Sequence, residues 1–73
     1  MTRLEYLRRR RAWSQTVLAY HSGMGQGDVS RIERRMAIPT ARVVERLALA
    51  LDVDAQGLLE DVPAEAVMEA ISR

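Results

Sequence analysis

The sequence predicts an all-α fold, and three observations carry that prediction. Phe is absent and the aromatic content is one Trp and two Tyr, so the core must come from Leu, Val, Ile, Ala and Met. Such a core suits packed helices better than sheets. Val44, Leu47, Ala48 and Leu51 recur at i, i+3, i+4 and i+7, an apolar stripe down one side of a helix. No segment shows the sustained alternation of a half-buried strand, an internal repeat or a low-complexity run. Seventy-three residues make one small domain with a modest core.

Five or six short helices follow in order. The first is expected over about residues 2–11, with Leu4, Leu7 and Arg11 on one side and Arg8 beside them. Ser14 is a natural N-cap, and SQTVLAYH reads as the second helix with Leu18 and Ala19 inward. Gly23 ends it. The third runs from about Gln26 to Arg34 and buries Val29 and Ile32, together with the preceding Met24. Past Pro39, Thr40 caps the fourth helix, which carries the stripe. Asp54 can cap a short fifth through Leu58 and Leu59. Pro63 suits the first turn of a last helix ending near Ser72, with Val67, Ala70 and Ile71 apolar.

Charge is unevenly spread. Residues 1–42 set nine arginines against Glu5, Asp28 and Glu33, a local charge of +6. Residues 43–73 set Arg46 and Arg73 against seven acids, a local charge of −5. A basic front and an acidic back suit a protein that turns one face to a polyanion, although a merely dipolar surface would look the same. The arginine-rich start MTRLEYLRRRR has no cleavage-like segment, and its leucines continue a helical pattern. No apolar run approaches the roughly eighteen residues of a membrane span. Without cysteine there is neither a disulfide framework nor a thiolate metal site, which is compatible with a reducing cytoplasm.

Catalysis finds little support. His21 is the one histidine, there is no H-E-x-x-H, and no spaced carboxylate pair stands out. His21 reads as an exposed residue near the end of the second helix, and a lone imidazole would not hold a metal. Nothing asks for a cofactor.

Glycines at every second position, Gly23, Gly25 and Gly27, pose a sharper question. A dinucleotide cradle needs G-x-G-x-x-G after a buried strand, whereas this spacing is G-x-G-x-G after a helix, and no G-K-[ST] follows. A flexible linker is excluded by Leu18, Met24, Val29 and Ile32, which bracket the glycines at helix-core spacing. A turn between two helices remains, with Gly23 suited to a left-handed position.

Ser14-Gln15, Leu18-Ala19, Gly23, SRIER at 30–34 and Pro39-Thr40 form an ordered set that continues through LALALDV at 47–53 and Leu58-Leu59. Over about residues 4–60 this set resembles the Cro/CI-type (XRE) helix-turn-helix family. The resemblance implies a compact five-helix domain like that of phage repressors, with residues 1–60 as the DNA-binding domain. Residues 61–73 would be a C-terminal helical extension and a candidate dimer contact. It further implies a cytoplasmic, bacterial or phage-encoded protein, found on the nucleoid when bound.

The resemblance also assigns residues. Gln15 stands where members contact a phosphate, and the outward face of the third helix begins Gln26, Gly27, Asp28 and continues to Arg31. Gln pairs bidentately with adenine and Arg with guanine, which makes Arg31 the leading candidate for a base contact. Arg34, Arg35 and Arg42 flank the following loop, where phosphates would lie. Arg8 and Glu33 fall where the family has an ion pair tying the first helix to the end of the third. That leaves Arg9, Arg10 and Arg11 as a solvated face that could also meet phosphate.

Departures accompany the match. Arg35 stands where glycine is usual, Gly25 where Ser or Thr caps, and Ser22 where an apolar residue is usual. Gly27 removes a side chain from the reading face and costs about 1 kcal/mol of helix propensity. Asp28 would repel phosphate, yet could accept from cytosine N4. Val17 and Tyr20 are either scattered surface hydrophobes or a protein-contact face.

Two functions follow. One is a sequence-specific transcriptional regulator of repressor type, reading double-stranded DNA with residues 26–34 as a homodimer on a two-fold site. Half-site centres would lie about 34 Å apart. Control would come from its own concentration or from a regulatory protein partner. Val62, Val67 and Ile71 could form the dimer contact or pack within the chain. The alternative is a protein-interaction module, antitoxin-like or an adaptor, with weak or no specific DNA binding.

Overall fold

Three hydroxyl residues start three of the helices in the same way. Thr2 Oγ1 accepts the Glu5 N–H at 3.1 Å, Ser14 Oγ that of Val17 at 3.1 Å, and Thr40 Oγ1 that of Val43 at 3.3 Å. Each satisfies a donor that the first helical turn leaves open. The helices so begun are α1 (Arg3–Arg10), α2 (Gln15–Ser22) and α4 (Ala41–Leu51). Between the last two lies α3 (Gln26–Glu33), which starts at Gly25 with no side-chain cap. The last helix among the described residues is α5 (Ala64–Ile71). The computed structural model describes residues 1–71, and of these only residues 1–69 with their side chains. Among the described residues the architecture is all-helical, with one isolated bridge between Thr2 and Asp61.

Four of the helices also end alike. A residue one or two positions past each adopts a left-handed backbone: Ala12, Gly23, Arg35 and Asp52, with φ of 58°, 70°, 61° and 55°. At every one of these ends, two back-reaching hydrogen bonds close the last carbonyls, as in Trp13 N–H to Arg8 O and Ala12 N–H to Arg9 O. The next residue is Trp13, Met24, Met36 or Val53. Three of these pack against the core, and Met36 is exposed.

The expected short helix after Asp54 does not form. Asp54 Oδ1 accepts from its own i+2 backbone, Gln56 N–H at 2.8 Å, which makes a turn rather than a helix start. Gly57 then takes φ +74°, and the bonds Leu58 N–H to Ala55 O and Glu60 N–H to Gly57 O close successive turns. Leu58 nevertheless reaches the core, so the segment does the packing expected of it without the helix.

That core is Leu4, Leu18, Ala19, Val29, Ile32, Leu47, Ala48, Leu51 and Leu58, one cluster at the meeting of the first four helices and the turn segment. α2 packs on both α3 and α4, and α1 packs on α4 and α5. Ser22, polar in an apolar setting, is buried because its Oγ donates to the Leu18 carbonyl one turn back at 2.7 Å. Arg11 lies on the Leu4 and Leu7 side as expected but stays exposed: it reaches the Leu51 carbonyl at 2.7 Å and lies over the Trp13 ring. The last helix contributes half-buried Ala66 and Val67. The expectations for the side chains of Ala70 and Ile71, and for a helix end near Ser72, lie outside the described residues.

Candidate nucleic-acid interface

The third helix divides cleanly by burial. Val29, Ile32 and Glu33 are buried, while Gln26, Gly27, Asp28, Arg31 and Arg34 are exposed. Eight residues at 1.5 Å per residue give a rod about 12 Å long, whose diameter with side chains matches the width of a DNA major groove.

Beneath it sits a bidentate ion pair. Arg8 Nε donates to Glu33 Oε2 at 2.7 Å and Nη2 to Oε1 at 2.9 Å, with 8% of the Arg8 side chain and 1% of the Glu33 side chain exposed. Arg8 Nη1 donates to the Trp13 carbonyl at 2.8 Å. Planar guanidinium and carboxylate thus match edge to edge, the geometry in which a buried pair compensates its desolvation best. No buried side-chain N or O among the described residues lacks a partner.

From this pair a hydrogen-bond chain runs outward. Gln15 Nε2 donates to Glu33 Oε1 at 3.0 Å, and Gln26 Nε2 donates to Gln15 Oε1 at 2.8 Å. A buried carboxylate therefore orients the first residue of α2, which in turn orients the first residue of α3. Gln26 keeps its Oε1 and one N–H unengaged, the acceptor and donor that an adenine edge requires.

Further along the face, Arg31 Nη2 donates to Asp28 Oδ1 one turn earlier, with half of each side chain exposed. Arg34 and Arg42 are exposed and make no side-chain hydrogen bond or ion pair among the described residues. Arg35 is placed elsewhere: it donates to Asp61 and, at 3.2 Å, to the Leu59 carbonyl, toward the acidic half of the chain. The structure thus joins Gln15 to Gln26 and Asp28 to Arg31, and ties Arg35 to Asp61 and Leu59 instead.

Arg46 is the residue that sequence reasoning missed. From α4 its Nε donates to the Ser22 carbonyl at 3.1 Å and its Nη2 to the Gly23 carbonyl at 2.9 Å. A cation at the C-terminus of α2 meets both the open carbonyls and the negative end of the helix dipole. Its one signal in the sequence is that it is a base in an otherwise acidic stretch.

On the outer side of α2, His21 stacks on Trp13 with ring centroids 4.6 Å apart, and Tyr20 meets His21 edge-on. Tyr20 and Leu49, both largely exposed, line one open depression beside the Gly23 turn. No group of three or more His, Cys, Asp or Glu among the described residues could hold a metal ion. No helix among them is long and apolar enough to cross a membrane.

A family model described as a helix-turn-helix domain matches residues 2–62, a span that takes in α1 to α4 and the turn segment. No curated protein and no solved structure gives a significant match.

Proposed function

The chain belongs to the helix-turn-helix domain family, and from that premise we propose that it is a sequence-specific transcriptional regulator of the Cro/CI (XRE) type, acting as a repressor. The observation that carries the reading is the oriented row on the exposed face of α3. Gln26, held by Gln15, offers an adenine-matching edge, and Arg31 offers guanine-matching donors five residues on. Gln15, Arg34 and Arg42 are the phosphate contacts of this reading, setting register and affinity without choosing sequence. Arg35 contributes charge from farther away, with its donors already engaged by Asp61 and Leu59.

So short a reading helix covers few base pairs, so a homodimer on a two-fold site is part of the proposal, with half-sites about 34 Å apart. Residues 61–73 are its candidate contact. Val62 and Val67 are half-buried, so among the described residues they are in part already packed within the chain.

The test is binding of the full chain to upstream and unrelated duplex DNA at two salt concentrations. A regulator binds one class of site tightly and loses affinity steeply as salt rises. Arg31→Ala should cost about 1–3 kcal/mol of discrimination. Weak binding that ignores sequence would sink the reading. It would favour a protein-interaction module instead, for which the exposed Tyr20 and Leu49 beside the turn are the supporting observation.

A further inference from the structure

Gly27 leaves the reading face bare at a position where a side chain would ordinarily project, and Asp28 puts a negative charge where DNA phosphates must approach. Taken singly, each works against DNA binding. Their geometry gives them a joint use. A β-carbon built on Gly27 would lie 3.4 Å from Arg31 Nη1 and 3.9 Å from Nη2. The Arg31 guanidinium therefore lies over the bare backbone of Gly27, and Nη2 is fastened there by Asp28 Oδ1. A methyl at position 27 would just touch the guanidinium; a longer side chain would occupy its space.

We propose that Asp28 is a positioning residue for Arg31: it holds one edge of the guanidinium across the gap left by Gly27, so that the remaining N–H groups address a guanine in the major groove. The inference rests on the DNA-binding reading above and narrows it to a base and to the residues that select it. The chemistry closes without strain. A guanidinium carries five N–H donors; one goes to Asp28, and a guanine needs two, for O6 and N7. An unrestrained Arg must lose its rotamer freedom on binding, whereas one already fastened loses less. As an exposed i, i+3 pair the contact adds little to the stability of the free protein. Its weight comes in the groove, where water is displaced and the direction of a donor decides which base is accepted.

A residue with this role has an unusual signature, because the same carboxylate repels phosphate. Removing it should raise affinity for DNA in general and lower the preference for the right site. A carboxylate that only repels would raise both equally, and one that only caps α3 would change melting behaviour and leave base preference alone.

The experiment selects sites from a random duplex library with the full chain, then replaces each guanine of the selected site by 7-deazaguanine, which lacks the N7 acceptor. At one guanine the wild-type protein should lose about tenfold in affinity, and Arg31→Ala should be indifferent. Asp28→Ala should lose less than about twofold there while binding unrelated DNA more tightly, and Asp28→Asn, which keeps an acceptor oxygen, should fall between. Gly27→Ala should keep the preference and Gly27→Leu abolish it. Melting curves of each variant verify that it is folded. The proposal is overturned if Asp28→Ala keeps the full tenfold sensitivity, or if it strengthens selected and unrelated DNA by one common factor. Wild-type binding that ignores 7-deazaguanine at every guanine overturns it too, while leaving DNA binding intact. A library from which no site emerges removes the DNA-binding reading itself, and this inference with it.

Discussion

Entering α3 the chain turns on Gly23, and leaving α3 it turns on Arg35. The backbones are nearly the same, with φ of 70° and 61° and the same pair of back-reaching hydrogen bonds. The surroundings differ. At Gly23 the space beyond the Cα is filled by Arg46, whose Nη2 would sit 2.4 Å from any added β-carbon. Met24 then packs on the core. At Arg35 the side chain runs out to Asp61, and Met36 is exposed. Glycine at the first turn suits the left-handed backbone and leaves room for the Arg46 guanidinium, which an added β-carbon would push aside, whereas at the second an L-residue accepts the backbone cost. The far end of α3 has a second anchor, the buried Arg8–Glu33 pair two residues before Arg35.

The largest effect should come from cutting that anchor. Glu33→Ala leaves the Arg8 charge buried and unpaired and should cost about 3–5 kcal/mol, a large share of what so small a domain possesses. Urea denaturation followed by circular dichroism measures it. A loss under about 1 kcal/mol would mean that the outgoing turn, after all, holds its own end of the helix.

Next comes the incoming turn. Gly23→Ala meets a left-handed penalty of about 1–2 kcal/mol and dislodges Arg46 from two carbonyls, on the order of 1 kcal/mol more. In an Arg46→Ala background only the backbone share should remain. A double-mutant cycle isolates the difference, and strictly additive effects would show that crowding by Arg46 plays no part.

The outgoing turn should behave in the opposite way. Arg35→Gly relieves the left-handed backbone while losing an exposed ion pair and gaining unfolded-state freedom, terms of about 1 kcal/mol each that nearly cancel. Arg35→Ala keeps the backbone cost and loses the pair, so it should melt below Arg35→Gly. The reverse order would mean that the unfolded-state freedom gained with glycine outweighs the backbone relief at this turn.

The same contrast explains what could be read from the sequence. Helix starts were legible because Ser14 and Thr40 carry their own caps, and the α4 stripe shows in spacing alone. Helix ends were less so: of four left-handed stops only Gly23 is glycine, and nothing about Ala12, Arg35 or Asp52 marks them. Asp54 misled because the side chain that can cap a helix can also close a turn on its own i+2 amide. Tertiary chemistry was the least visible. Arg8 and Glu33, 25 residues apart, were linked only by a family resemblance, and no periodicity connects Arg46 to the carbonyls of Ser22 and Gly23.

The smallest expected change lies between the two turns, at the start of α3. Gly25 holds an extended backbone, φ −84° and ψ 151°, without offering a capping oxygen, although three other helices in the chain use one. An added β-carbon would meet Asp28 Oδ2 at 3.4 Å, an ordinary contact. Gly25→Ser should therefore stabilise the fold by a few tenths of a kcal/mol, visible as a slightly higher melting temperature. The direction matters more than the size. If serine destabilises, its hydroxyl is competing for the Asp28 carboxylate, and the start of α3 is kept bare so that Asp28 stays with Arg31.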